Sequence, residues 1–206
     1  MALAESPRTM SLRDALDNRL IRKIAKVWTP LLSLILVIAI VSSDSLWTVA
    51  LSALIGFVYY SFLEYAIHRW HLHSGPYRML VRRMTFDLSR MHLDHHKEPA
   101  HPKGAVNQQK PAFVVTVVSS LIAFVLPIPY EQSFAFIFGA ATCYVANDLM
   151  HFAVHHLPMN GPVLGWWKRH HMLHHYRDDD ANFATIMPLW DKFLGSQYKG
   201  PTRPAR

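Results

Sequence analysis

The sequence predicts an all-α integral membrane protein, with four transmembrane helices in two hairpins and a cytoplasmic helical cap carrying a polyhistidine dimetal site. Three observations lead there. The chain of 206 residues is 51% hydrophobic yet carries a formal charge of +7. Its twenty-one Lys and Arg fall in three stretches separated by apolar runs that hold neither. Its fourteen histidines all lie between His68 and His175.

Ser11 to Lys26 reads as an amphipathic helix lying on the membrane, because Leu12, Leu16, Leu20 and Ile24 recur every four positions among Arg13, Asp17, Arg19, Arg22 and Lys23. Val27 to Ser43 and Ser45 to Leu63 are uncharged apart from Asp44 in the turn between them, and are long enough to cross a bilayer core, which takes about 20 helical residues. Only Ser42 to Ser45 separates them, so they form a hairpin. Pro111 to Tyr130 and Gln132 to Asn147 repeat the arrangement, with Pro127, Pro129 and Glu131 at the turn. Tyr77 to His96 reads as a further helix, and Trp166 to Tyr176 as an interfacial one. The domain organisation is therefore an amphipathic segment 1–26, a membrane domain 27–200 and a disordered tail 201–206.

Basic residues precede the first span, occupy Arg69 to Lys110 and resume at Lys168, and neither hairpin turn holds one. By the positive-inside rule both termini and the central loop are cytoplasmic, in a multi-pass membrane protein. The segregation of charge by apolar spans argues against nucleic acid as a partner. The start, MALAESPRTM, lacks the apolar stretch of a cleavable signal peptide. A single cysteine, Cys143, excludes an internal disulfide and thiolate clusters.

Ten histidines form four clusters: His68 and His73; His92, His95 and His96; His151 and His155; His171, His174 and His175. Residues three or four apart share a helix face and can aim their rings at one point, so each of the last three clusters is expected to act as a group. His68 and His73 are five apart, about 140° around an ideal helix, so the helix should end or turn near Trp70 for both rings to reach one site. His71, His101, His156 and His170 break the spacing and read as supporting or surface residues. Glu64, four residues before His68, and Asp148, three before His151, are placed to accept the second ring N–H of a ligand.

Ten imidazoles are too many for one ion, and five each, with an open position for solvent or oxygen, suit two. Neutral nitrogen ligands fit Fe, Zn, Cu or Ni. Iron is favoured, because a redox pair facing the membrane can activate O2 against an unactivated C–H bond; Zn could replace it in purified protein. No general base of the H-E-x-x-H kind accompanies the ligands, so no catalytic or cofactor-binding residue is assigned beyond them. A membrane metal carrier is the non-enzymatic alternative. It would spread ligands across the bilayer, whereas these collect on one side.

The series H-x4-H, H-x2-H-H, H-x3-H, H-x2-H-H resembles the histidine signature of the fatty acid hydroxylase superfamily, closest to its fatty acid and sphingolipid 2-hydroxylases. The likeness covers about residues 50 to 196, including Glu64-Tyr65 with His68-Arg69, His95-His96-Lys97, Asp148 with His151 and His155, Phe183 and Leu189-Trp190-Asp191. The eighteen residues between His73 and His92 also fit that branch better than the carotenoid hydroxylases, where the gap is shorter. The resemblance implies a di-iron centre under a membrane-embedded cap, O2 as co-substrate, and a fatty acyl or other membrane lipid hydroxylated beside its carbonyl carbon. Sterol or carotenoid oxidation and lipid desaturation are the alternatives on the same scaffold.

Two departures stand out. Many eukaryotic 2-hydroxylases begin with a cytochrome-b5-type haem domain, for which this chain has no room, and His101-Pro-Lys-Gly is only a partial likeness to its haem motif. A separate electron donor of cytochrome-b5 or ferredoxin type is therefore implied, and a bacterial inner membrane in preference to endoplasmic reticulum. Ala184 also stands where the family pattern has a glycine.

Overall fold

The computed structural model describes residues 10–73, 91–99, 121, 124–125 and 128–200. Among the described residues every regular element is helical. Most of the expected span Pro111 to Tyr130 and of the expected helix Tyr77 to His96 lies outside them, as does the whole tail 201–206.

The amphipathic stretch is divided where one helix was expected. Helix α1, Leu12–Leu16, starts with the Ser11 hydroxyl accepting the Asp14 N–H at 3.2 Å. It stops at Asp17, and the Asn18 side chain then caps a new helix, α2 (Arg19–Lys23), by accepting the Leu20 N–H at 2.9 Å. Its apolar face packs on protein: Ala15 and Leu20 bury against Phe152, with Ile24 and Leu157 alongside. Met10 N–H also donates to the His156 carbonyl at 2.8 Å.

Helix α2 runs without a break through a π-helical turn, Ile24–Trp28, into α3, Thr29–Val41. Pro30 accounts for that turn, because it has no N–H and its ring crowds the carbonyl four residues back. The whole, Arg19–Val41, is long and apolar enough to cross a membrane. Ser42 to Ser45 reverses the chain as expected, the Ser45 hydroxyl capping α4, Leu46–Ala66, at the Thr48 N–H. A second π-helical segment, Ile67–Leu72, continues α4, so this span is Leu46–Leu72. The third long helix is α5, Tyr130–His156, one uninterrupted 27-residue helix that carries the expected span onward to its histidines.

Helices α3 and α4 both pack on α5. A Cβ placed on Gly56 would lie 2.0 Å from the Phe136 carbonyl oxygen, and one on Gly139 1.8 Å from that of Ala53. The α4 and α5 backbones touch there, the small-residue packing expected where lipid supplies no hydrophobic drive. Further along, Trp28, Tyr60, Cys143 and Tyr144 fill the interface, with Trp28 edge-on to Tyr144 at 5.0 Å. Leu34, Val37, Leu54 and Ile55 stay exposed on the opposite faces, as a lipid-facing surface requires.

Beyond α5, Gly161 at φ 88° turns the chain into α6, Pro162–Tyr176, with proline at the first helical position. A loop, Ala181 to Thr185, and the short helix α7, Leu189–Phe193, close back over the C-terminal end of α4.

Candidate metal centre

All ten clustered histidines meet at one end of the bundle, but not cluster by cluster. His68, His73, His92, His96 and His174 form one group; His95, His151, His155 and His175 form another, and the ligand atoms of each group lie within 4.8 Å of one another. His171 joins the second, its Nε2 3.0 Å from that of His155 and 3.1 Å from that of His175.

Each H-x-x-H-H motif is therefore shared between the groups, a correction to the expectation that it acts as a unit. Helix geometry explains the split. Residues four apart, such as His92 with His96 or His171 with His175, are only about 40° apart, whereas His95 and His174 sit about 100° from their next neighbours. The shared motifs hold the groups side by side, with the His96 and His175 rings 4.3 Å apart.

The helix ends close to Trp70, at Leu72 with His73 as its C-cap, but it first changes type. From Ile67 it widens into the π segment, whose i→i+5 pattern stacks residues five apart. His68 and His73 thus come to 5.1 Å between ring centroids, and both aim Nε2 at His92 Nε2, at 3.0 and 2.7 Å.

In the first group His96 Nε2 lies 3.0 Å from His92 Nε2 and His174 Nε2 3.1 Å from His96 Nε2. In the second, His95 Nε2 lies 3.1 Å from His151 Nε2 and 3.2 Å from His155 Nε2. Two rings have their tautomer fixed from behind: His68 Nδ1–H donates to the Phe183 carbonyl, and His174 Nδ1–H to the Ala181 carbonyl at 2.7 Å. Their Nε2 atoms then carry lone pairs facing inward. Burial, reinforced by neighbouring rings, holds His95 and His96 down at about 4 and His92, His171 and His174 well below the ordinary imidazole value. These rings are held in the neutral form that ligates metal.

Converging lone pairs repel unless a cation lies among them. Separations near 3 Å also suit neighbouring ligands at right angles with metal–nitrogen bonds of about 2.1 Å. Both groups fit a metal ion.

Of the two carboxylates expected behind the ligands, Glu64 is placed differently. Glu64 does not bond the His68 ring, because Nδ1 of that ring already faces Phe183; the carboxylate accepts the Thr185 N–H instead, at 3.3 and 3.4 Å. Asp148 is buried and takes the Tyr144 hydroxyl as a hydrogen-bond partner.

Sequence reasoning gave Asp191 no role beyond its place in the family likeness. It is fully buried and accepts four hydrogen bonds: Oδ1 from Phe183 N–H and Ser196 Oγ, both at 2.8 Å, and Oδ2 from Ala184 N–H at 2.9 Å and His170 Nε2 at 3.0 Å. His170, which only broke the ligand spacing, is thus a buried partner of that carboxylate. Asn182 pins the same loop at φ 56°, a left-handed conformation asparagine tolerates, its side chain bonding the His170 carbonyl and the Tyr198 N–H. Ala184 is not at positive φ, so alanine meets no backbone strain where the family pattern has glycine.

The described residues form an all-helical protein with three helices able to span a membrane and a largely buried ten-imidazole cluster able to hold metal. The fatty acid hydroxylase family matches residues 53–196, and the chain belongs to that family. Among curated proteins it is 25% identical to dihydroceramide fatty acyl 2-hydroxylase FAH2 of Arabidopsis thaliana, over 84% of this chain and 71% of the plant protein. It is 30% identical to mouse fatty acid 2-hydroxylase over 68% of this chain, and 28% identical to the ceramide very long chain fatty acid hydroxylase scs7 of Schizosaccharomyces pombe over 70% of it. The alignments span 37% of the mouse protein and 41% of the yeast one. All three relatives are eukaryotic, so they lend no support to the expected bacterial setting. The fold matches the visible hydroxylase domain of a solved full-length scs7p, with a TM-score of 0.75 and 21% identity over 90% of this chain and 69% of that one.

Proposed function

We propose that the chain is an O2-dependent, non-haem di-iron monooxygenase that hydroxylates a fatty acid or sphingolipid acyl chain at the carbon beside its carbonyl. The observation that carries the reading is the five-and-five convergence of histidine nitrogens at one end of the bundle. The names of the curated relatives support the reaction and the substrate class. Two iron ions, held by His68, His73, His92, His96 and His174 and by His95, His151, His155, His171 and His175, would supply O2 activation, with two electrons from a separate cytochrome-b5-type or ferredoxin-type donor.

The remaining work belongs to the chain. The Phe183 carbonyl holds His68 and the Ala181 carbonyl holds His174, so their inward nitrogens stay unprotonated. The Phe183 ring lies 5.4 to 5.7 Å from those of His68, His73 and His174, an apolar wall on one side of the first group. Asp148, three residues before His151, is assigned to orienting that ring. Glu64 holds the loop at Thr185. A fourth span within 111–130 completes two hairpins, and the charge asymmetry places both termini and the histidine cap in the cytoplasm.

Lipid mass spectrometry on cells with and without the chain tests this. An acyl species heavier by one oxygen at the carbonyl-adjacent carbon is expected. Loss of two hydrogens would identify a desaturase, and an unchanged lipid profile would contradict the proposal.

A further inference from the structure

We propose that Asp191 is a positioning residue for one ion of the pair: through the Ala181 to Thr185 loop it sets His68 and His174, and with them the first histidine group alone. The inference rests on the dimetal reading of the site. Asp191 stands at the start of α7, in sequence far from His68, and touches no clustered histidine. Its two oxygens instead hold the consecutive N–H groups of Phe183 and Ala184. That grip fixes the direction of the Phe183 carbonyl, which receives His68 Nδ1–H. The same loop starts at Ala181, whose carbonyl receives His174 Nδ1–H.

Both rings held in this way belong to the first group. In the second group the Nδ1 atoms of His95, His171 and His175 are buried without a hydrogen-bond partner. The support from Asp191 is therefore one-sided. A second chain of bonds stiffens it: Tyr65 Oη lies 2.8 Å from Ser196 Oγ, which donates to Asp191 Oδ1. His170, on the same helix as His174, anchors Oδ2 and fixes the spacing between α6 and the loop.

Asp191→Asn keeps the shape but replaces one acceptor oxygen with an N–H2 donor, which must face two incoming donors. The full-length chain is loaded with Co(II) and challenged with EDTA. Release is followed by the Co(II) absorption bands and by residual metal per chain. In Asp191→Asn one of the two ions is expected to leave about tenfold faster while the other keeps its wild-type rate, the low end of what loss of outer hydrogen bonding costs a metal site. Ser196→Ala, which removes one of the four bonds, should show the same one-ion selectivity more weakly, and it is the decisive variant if Asp191→Asn does not fold. Release of both ions at wild-type rates, or equal acceleration of both, overturns the positioning role. A wild-type chain that never takes up two ions overturns the dimetal reading itself, a separate result visible before any variant is made.

Discussion

His174→Ala is expected to abolish hydroxylation and to strip metal from the first histidine group while leaving the three long helices folded. His174 is fully buried, its Nε2 lies 3.1 Å from that of His96, and its Nδ1–H is committed to Ala181. Removing the ring deletes a donor atom itself, so the loss of affinity should exceed the roughly 10- to 100-fold that follows removal of a partner behind a ligand. His95→Ala should do the same to the second group, since its Nε2 approaches both His151 and His155. His156→Ala is the control. That ring is buried against Phe152, outside both groups, and its loss should spare metal content. Metal analysis, activity and helical circular dichroism on the three variants check the set. Full turnover in His174→Ala or His95→Ala would show the ligands misassigned.

Gly139→Leu is expected to prevent the bundle from assembling. Even the first carbon of the new side chain would fall 1.8 Å from the Ala53 carbonyl oxygen, and the obstacle is backbone, which cannot rotate aside. Overpacking usually costs about 1–3 kcal/mol, and a clash between two main chains belongs at or above the top of that range. Helices α4 and α5 bring His68 and His73 to His151 and His155, so separating them also opens the metal centre. Gly165→Ala makes the contrast: its nearest neighbour would be 3.5 Å away, within a helix that alanine favours, so the variant should be neutral or more stable by about 0.5–1 kcal/mol. Size-exclusion chromatography and thermal unfolding in detergent separate the two outcomes.

The ten histidines and the apolar spans were legible because both depend on short-range periodicity, 3.6 residues per turn for the rings and an uncharged run for the membrane. What spacing alone could not show was the sharing of each H-x-x-H-H motif, although the 100° step between adjacent residues was available to predict it. His73 needed a local change of helix type that no residue between Ile67 and Leu72 announces. Glu64 was misplaced for a different reason. Its neighbour on the helix is His68, but a loop more than a hundred residues away supplies the better donor, Thr185 N–H, and the carbonyl that satisfies the ring. The role of Asp191 was hidden because its four partners, two main-chain N–H groups of a loop and the side chains of Ser196 and His170, are brought together by tertiary structure and not by helical spacing.

The metal content of the purified full-length chain, reconstituted with Fe(II) without oxygen and then freed of excess ion, addresses the dimetal centre most directly. Two ions per chain are predicted, falling towards one in His174→Ala and in His95→Ala. A wild-type chain that saturates at one ion or takes up none would contradict the account.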